Sequence, residues 1–471
     1  MKKGKELVKN TAILLFGKVF TQFLSFFLLP LYTYMLPVAE YGTVDLILTY
    51  ITLFVPVITI QQEMATFRHL IDARNSEGLK GEIIRTSFRS TWIRLLLFVV
   101  PYIIVTLFVH WRYAYLVLAC GIFLALSHLL LQIARGFGDN MKYTIGSIIA
   151  GVVTIASNLL LICVFHWGAE SILISMALAN LCCDLYLFFA LRTIHYLKVA
   201  KPNKTLRNKM LKYSWPLVPN SISWWLITAS DRTIVSIFLG VAANGIYSVA
   251  VKLPSIVGSF LNIFTLSWTE SASVHINDDD RDEFFSSVAG NTLRIFSSLG
   301  ILLIAVLPFV FDIIIGGEYR SSYEYIPIAI LGVLLNCLVS VYSAVYVAKK
   351  MTKQVATTSI FSAIINIVVD LVLVHFIGLY AAVISTAVAY LAMAIYRHYD
   401  LKKYVRITYR KYDIILAVLG LVIVSATYYS GNMTLYLIGL VCAVVYSITQ
   451  NWKIICKVFS RGSLRKIFKK K

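Results

Sequence analysis

Fourteen apolar stretches of membrane-crossing length follow one another along the 471-residue chain, and they limit the possible fold more than any other feature. A helix needs about 20 mostly apolar residues to cross a bilayer, and irregular backbone cannot face lipid. With 59% hydrophobic and 14% charged residues, the chain has more apolar side chains than a water-soluble core buries. The sequence therefore predicts an all-α integral membrane protein with about 14 transmembrane helices. The stretches are 11–35, 42–64, 92–110, 113–134, 143–166, 170–191, 213–239, 244–272, 287–315, 323–348, 354–377, 379–397, 412–429 and 432–449.

The basic residues predict the orientation of these helices. When the N-terminus is placed in the cytoplasm, 37 of the 43 Lys and Arg residues fall on the cytoplasmic side, and only Arg112 and Arg320 fall outside. This asymmetry follows the positive-inside rule. The net charge of +20 is therefore a topology signal, and no nucleic-acid partner is expected. Both termini are predicted to be cytoplasmic, and the basic tail 451–471 either lies on the anionic inner leaflet or is solvated.

Several features argue against an enzyme. The predicted outer loops are at most about seven residues long, so they leave no room for a catalytic domain. The chain has no G-x-x-x-x-G-K-[ST] motif for nucleotide hydrolysis. Its seven Cys residues lack metal-ligand spacing, so neither a metal nor another cofactor is predicted.

An internal repeat predicts two halves. Residues 36–42 read LPVAEYG and residues 239–245 read LGVAANG, at an offset of 203. Gly168 and Gly378, at an offset of 210, each begin a helix after an outer turn. Because each half holds six helices, an axis along the membrane normal relates the halves, with substrate between them near mid-membrane and alternating access. The predicted divisions are an N-lobe 1–205, a C-lobe 206–405, helices 13 and 14 in 406–450, and the tail 451–471.

Three segments resemble a known family. The stretch 231–252, DRTIVSIFLGVAANGIYSVAVK, is similar to the D-R-x-I-I-x-x-x-x-G-x-x-x-x-G-x-Y-S-x-A-x-K pattern of bacterial polysaccharide repeat-unit flippases, the O-antigen and capsule translocases. The opening KNTAILLFGKVFTQFLSFFLLPLYTYMLPVAEYG resembles their first helix and turn, and Ala348 to Tyr390 resembles their eleventh and twelfth helices. The chain departs from the pattern at Asn244, to which we attach no functional weight. These flippases belong to the multidrug/oligosaccharidyl-lipid/polysaccharide exporter superfamily.

The resemblance, which spans residues 5 to about 400, implies a specific activity. An undecaprenyl-diphosphate-linked oligosaccharide would pass from the inner to the outer leaflet of the bacterial cytoplasmic (inner) membrane. The same resemblance implies a role in capsule or O-antigen polysaccharide biosynthesis, with contacts to other polysaccharide-assembly proteins.

Four basic residues fall inside predicted helices, where each charge is costly and needs a reason. Arg232 and Lys252 lie at similar predicted depths on the seventh and eighth helices, and Lys18 lies on the first. Together they are candidates to line a basic cavity for a diphosphate, and Arg is best suited to fork onto phosphate oxygens. Arg294 is a weaker candidate, because snorkelling suffices near a helix end. The alternative is structural pairing with an acidic residue such as Asp231.

The acidic residues suggest coupling or gating. Asp45, Asp184 and Asp370 lie in or near predicted helices and are candidate sites for H+ or Na+ coupling. They are also alternative partners for the basic residues. Glu63 and Arg68, near an inner helix end, are candidate gating residues or ordinary interfacial charges.

Two tryptophans are candidates to stack on sugar rings. Trp224 and Trp225 lie deep in the seventh helix, and because they are adjacent they cannot both face one side. A multidrug antiporter of the same superfamily remains the main alternative function, although a cation exporter should have an acidic cavity. A membrane polymerase or ligase and a non-transporting scaffold are further alternatives.

Overall fold

The computed structural model describes residues 26–460, and within that range every regular element is helical and none is a strand. A π-helical turn, Leu160–Val164, continues the helix Asn140–Leu159, and a 3₁₀ helix, Gly317–Tyr325, precedes the helix Ile326–Ala348. The α-helices, numbered α1 to α18, are Phe26–Met35, Val38–Thr59, Gln62–Asp72, Glu77–Phe108, Ala114–Phe137, Asn140–Leu159, Glu170–Ala190, Thr193–Val199, Lys204–Ser214, Leu217–Phe238, Val241–Lys252, Pro254–His275, Arg281–Ile314, Ile326–Ala348, Thr352–Ile377, Tyr380–Leu401, Lys411–Tyr429 and Met433–Ser460.

The helices account for the predicted membrane spans. In the described part of the chain, 11 helical segments are long and apolar enough to cross a membrane, and α11 with α12 make a twelfth. The first predicted stretch lies mostly outside the described residues, which leaves α1 short. The helix α10 has 22 residues, carries Asp231 and Arg232, and is not among the 11. The predicted all-α membrane protein is therefore confirmed, and the count of 14 is approximate.

The predicted stretch 42–64 is divided into two helices. Pro56 in the last turn of α2 has no N–H to donate, and α2 ends three residues later at Thr59. Ile60 and Gln61 then adopt left-handed backbone conformations with φ of 51° and 52° before α3 begins. Such a conformation is unfavourable for a β-branched residue such as Ile60, so its surroundings must hold it in place.

A second break divides the predicted stretch 244–272. Pro254 is the first residue of α12, where its missing N–H costs no helical hydrogen bond. The helices α11 and α12 meet there at an angle of 50°. Lys252 is the last residue of α11, the position where a helix dipole favours a positive charge.

Packing groups the chain into two units, Met1–Gly245 and Ile246–Lys471, each described by itself. In the first unit α7 packs against both α5 and α6, and α3 packs on α5. Leu129, Ile133 and Leu187 are among the fully buried side chains where these helices meet. The lobe boundaries predicted from the repeat stay a prediction.

In the second unit the last two helices pack on α13. The rings of Tyr323 and Tyr428 stack with centroids 3.9 Å apart, and each hydroxyl donates to the other residue's backbone carbonyl, at 3.1 and 2.8 Å. The Tyr446 hydroxyl lies 2.7 Å from that of Ser297, and Asn451 donates to Ser298 at 2.9 Å. The final helix pair, whose role the sequence does not indicate, is thus bonded to the rest of its unit.

Replacing Tyr428 with alanine should destabilise the second unit. The substitution removes a buried stacked ring and a hydrogen bond, so we expect a loss of about 3–5 kcal/mol in the free energy of unfolding. Thermal unfolding in detergent micelles measures this loss. Tyr412→Ala is the control, because Tyr412 lies on the same helix α17 with its side chain exposed. Equal shifts in Tm for the two variants would contradict the stabilising role of the Tyr323–Tyr428 contact.

Candidate functional site

Helices α2 and α10 run side by side in the first unit and are joined by polar contacts along their length. We call this contact the α2–α10 seam, defined by Asp45, Tyr50, Trp225, Arg232 and Thr233. The residues early in α2 meet residues late in α10, so the two helices are antiparallel. Polar contacts between membrane helices hold them in register, although each contributes modestly, about 0.6 kcal/mol on average.

An ion pair joins the two helices in this seam. The Nε of Arg232 donates to Oδ2 of Asp45 at 2.7 Å, and the two side chains are 20% and 21% exposed. Asp45 lies seven residues after the start of α2 and Arg232 six residues before the end of α10, or about 10 and 9 Å along the helices. The opposite charges therefore lie at matching depth. Of the partners considered for Arg232, the structure pairs it with Asp45, while its neighbour Asp231 is buried.

Aromatic and hydroxyl groups extend the seam. The indole Nε1 of Trp225 donates to the backbone carbonyl of Thr49 at 3.0 Å, and its ring lies 5.7 Å from that of Tyr50. The Tyr50 hydroxyl lies 3.0 Å from that of Thr233. Trp225 thus has a packing role in the seam, and its contact with sugar stays a prediction. The side chain of Trp224 lies outside the described part of the structure.

The two copies of the repeated turn meet beside the seam. Gly42 near the start of α2 and Gly245 near the start of α11 are both buried. A methyl group on Gly42 would overlap the carbonyl oxygen of Val241, and one on Gly245 would overlap that of Val38. Because Val38 and Val241 are themselves repeat-related, this contact is reciprocal. Asn244, to which the sequence analysis attached no weight, is fully buried and donates to the Gly42 carbonyl at 2.7 Å.

A polar cluster surrounds the break between α2 and α3. Arg94 from α4 donates to the Thr59 carbonyl and, at 3.0 Å, to the side chain of Gln62. Gln61 donates to Ser221 of α10, which extends the contact between α2 and α10 to this end. The arginine supplies a hydrogen-bond donor where the helix ends, and it would help hold the left-handed residues of the break.

Glu63 lies at the start of α3, outside the segments identified as spans, and is buried. Burial raises the pKa of its carboxyl above the ordinary value, whereas a hydrogen bond from Thr59 at 3.2 Å and the charge of Arg94 act to lower it. Arg68 instead forms an exposed ion pair with Asp72 at 2.7 Å. The structure therefore does not bring Glu63 and Arg68 together as a pair, and their gating role stays a prediction.

The other predicted basic residues lie elsewhere. Lys252 is half-buried at the end of α11 in the second unit. Arg294 on α13 donates to Asn291 at 2.7 Å and lies 3.9 Å from Asp413 of α17, so it contacts the final helix pair. Lys18 lies outside the described residues. Their participation in a common basic cavity stays a prediction.

Two further carboxylates are buried inside the helical units. Asp184 on α7 accepts a hydrogen bond from Ser127 of α5 at 2.6 Å through Oδ1, and its Oδ2 has no hydrogen-bond partner among the described residues. Asp370 on α15 is fully buried near Asn366. Within residues 26–460, no group of His, Cys, Asp and Glu is placed to hold a metal ion.

The sequence did not indicate a buried arginine on α16. Arg397 is the last residue of the predicted stretch 379–397, and in the structure it lies inside α16 and is 1% exposed. It donates to Thr358 at 3.0 and 2.7 Å and to the carbonyl of Val355 at 3.3 Å. The predicted stretch ends at Arg397, whereas α16 continues to Leu401, so the arginine lies about one turn before the end of the helix.

The comparisons with known proteins agree with this architecture. A family model described as polysaccharide biosynthesis protein matches residues 7–269, more than half of the chain. A search of the curated proteins finds no match. Among solved structures, the lipid II flippase MurJ in an inward closed conformation matches with a TM-score of 0.71 and 16% identity, covering 95% of this chain and 99% of MurJ.

Transporters of the MATE family also share the fold. An inward-facing multidrug resistance MATE transporter of the MOP superfamily matches with a TM-score of 0.68 and 11% identity over 81% of this chain and 95% of the transporter. An outward-facing one matches with a TM-score of 0.58 and 13% identity over 90% and 97%.

The helical fold is that of a multi-pass membrane protein, and it is shared with the lipid II flippase and the MATE transporters named above. The chain belongs to the polysaccharide biosynthesis protein family. The predicted relationship to a family of polysaccharide biosynthesis proteins is thereby confirmed.

Substituting either glycine of the repeated turn should separate α2 from α11. We expect Gly42→Ala and Gly245→Ala each to lower stability by about 1–3 kcal/mol, because the added methyl meets a backbone carbonyl that cannot rotate away. Thermal unfolding of the purified protein measures this. Gly121→Ala in α5 is the matched control, because open space surrounds that position and alanine favours the helix. If all three variants unfold at the wild-type temperature, the close contact is wrong.

Proposed function

We propose that this protein moves an undecaprenyl-diphosphate-linked oligosaccharide repeat unit from the inner to the outer leaflet of the bacterial inner membrane by alternating access. The family supports a role in polysaccharide biosynthesis, and the similar MurJ structure is described as a lipid II flippase. The observation that carries the proposal is Arg232, a guanidinium held about 9 Å inside α10 with one-fifth of its side chain exposed.

Arg232 is suited to recognise the diphosphate. Its Nε is bonded to Asp45, which fixes the plane of the guanidinium fork. A diphosphate carries about two negative charges and offers oxygens that match this fork. We infer that the cargo competes with Asp45 for Arg232, so that the ion pair forms without cargo and opens when cargo binds.

The transport direction agrees with the membrane potential. Moving a negative charge outward across an inside-negative membrane is favourable by about 2.3 kcal/mol per 100 mV, and two charges double this. An anionic cargo of this kind therefore needs no further ion to drive it outward.

Transport by variants of the ion pair tests the proposal. Arg232→Gln should raise the KM for a fluorescent undecaprenyl-diphosphate oligosaccharide in proteoliposomes by about tenfold or more, because a charge-assisted hydrogen bond contributes about 1.5–3 kcal/mol. Asp45→Asn should leave KM unchanged or lower it, because the amide oxygen can still accept from the Nε of Arg232 while the negative charge that competes with the cargo is gone. The appearance of labelled sugar in the trans leaflet is the measurement.

The controls separate binding from structure. Arg232→Lys should have an intermediate effect, because it keeps the charge but loses the fork. Arg112→Gln should transport at the wild-type rate, because Arg112 is exposed and pairs with Glu170 at 2.8 Å. If Asp45→Asn and Arg232→Gln impair transport equally, the pair is structural only. If wild-type protein moves cationic drugs but no lipid-linked sugar, the proposed cargo is wrong.

A second candidate function is an ion-coupled antiporter, and Asp184 is the observation that favours it. Its Oδ2 has no hydrogen-bond partner among the described residues, so the carboxyl is suited to take up H+ or Na+. In a coupled transporter, Asp184→Asn should abolish the stimulation of transport by an imposed pH or Na+ gradient. Asp72→Asn, at an exposed carboxylate, is the control. Wild-type transport that does not respond to either gradient would exclude this coupling.

A further inference from the structure

A groove in the second unit lies between α15 and α16. Its cavity volume is about 530 Å³, within the range of roughly 300–1,000 Å³ that small-molecule sites occupy. Its lining changes from polar to apolar along its length. Lys353, Gln354, Thr357 and Thr358 line it in the first two turns of α15, and the residues that follow on α15, with their neighbours on α16, are largely apolar. These are Phe361, Ile365, Ala392 and Met393.

The groove is open to its surroundings along the apolar part. Phe361 and Tyr396, on its two sides, are 62% and 59% exposed. The neighbouring Ile364 and Val368 on α15 are exposed as well, which is the pattern of a helix face in contact with lipid. Lys353, in the first turn of α15, closely follows Lys349 and Lys350, and the positive-inside rule places this basic segment on the cytoplasmic side. An occupant from the inner leaflet could therefore enter sideways.

A buried positive charge lies directly behind the polar end. Arg397 is 1% exposed, and its acceptors are all neutral: the hydroxyls of Thr358, Ser359 and Ser343 and two backbone carbonyls. No carboxylate of the described residues forms an ion pair with it. Thr358 is shared, because it accepts from Arg397 and also lines the groove. Two positive charges therefore lie at the polar end of the groove. Lys353 lines the groove itself, and Arg397 lies behind Thr358.

We propose that this groove binds one anionic phospholipid of the surrounding bilayer, with the phosphate beside Lys353 and Thr357 and an acyl chain along Phe361 and Met393. Basic pockets between membrane helices on the cytoplasmic side recognise anionic headgroups in this way. A zwitterionic lipid would bring its ammonium group toward two positive charges. A free phosphate would leave the apolar part unfilled. None of the residues that line the groove belongs to the α2–α10 seam.

Lipid retention tests this proposal. The purified wild-type protein, mixed with equal amounts of phosphatidylglycerol and phosphatidylcholine of identical chains, should retain phosphatidylglycerol preferentially in native mass spectrometry. Lys353→Gln should weaken that binding about fivefold, the effect of roughly 1 kcal/mol per basic residue. Ala392→Phe, which fills the apolar part without changing charge, should also reduce retention. An excess of soluble glycerol phosphate should not displace the lipid.

Matched controls lie next to the groove. Lys402→Gln removes an exposed lysine that lies over the Tyr399 ring, and Ile364→Phe enlarges an exposed side chain on α15; both should retain phosphatidylglycerol as the wild type does. Unchanged melting temperatures confirm that each variant is folded. Equal retention of the two lipids by the wild type would overturn the anionic preference. Full retention by both Lys353→Gln and Ala392→Phe would overturn the site, and displacement by glycerol phosphate would show a phosphate site without a lipid.

Discussion

A chain that crosses a bilayer must pair its backbone N–H and C=O groups within the protein, because lipid offers no hydrogen-bond partner. Continuous helices meet this condition by themselves, whereas a helix end inside the protein needs help from side chains. At the break after α2, Arg94 donates to the Thr59 carbonyl, and the N–H of Gln61 reaches back to the Pro56 carbonyl. At the break before α12, Pro254 has no N–H to satisfy. The chain therefore supplies its own partners where a helix stops.

Charged side chains inside the protein also need hydrogen-bond partners, and two arginines find them in different environments. Arg232 faces a carboxylate, Asp45, in a partly exposed pair. Arg397 is fully buried among hydroxyls and carbonyls that have no net charge. These environments have different consequences. A carboxylate can be replaced by another anion at little cost, because the incoming phosphate restores both the charge and the hydrogen bond. A cage of neutral acceptors fixes the guanidinium in place but leaves its charge to act on whatever lies next to it.

Much of the fold could be predicted from apolar stretches alone, because an apolar stretch that crosses a membrane must satisfy its own backbone hydrogen bonds and therefore forms a helix. What the stretches could not show was where a helix breaks. The left-handed Ile60 is not indicated by its residue type, and Arg94, which donates to the carbonyl of the preceding Thr59, comes from another helix. The burial of Arg397 could not be predicted for a similar reason, because its hydroxyl partners lie on α14 and α15, far away in sequence. Charge at membrane depth made Arg232 a candidate, but its pairing with Asp45 and not with the adjacent Asp231 depends on which helix faces α10.

The repeated turn shows why sequence similarity survives at some positions and disappears at others. Gly42 and Gly245 match because each lies under the other copy's backbone, where no side chain fits. The preceding pair has diverged. Tyr41 is buried against Tyr32, with ring centroids 5.8 Å apart, whereas its counterpart Asn244 bonds to the Gly42 carbonyl. A reciprocal backbone contact requires both copies to stay small, but the residue beside it meets different neighbours in each copy. The two turns are thus alike where they touch each other and unlike where they touch the rest of the protein. Such a contact explains why the sequence similarity between the two copies is short and interrupted.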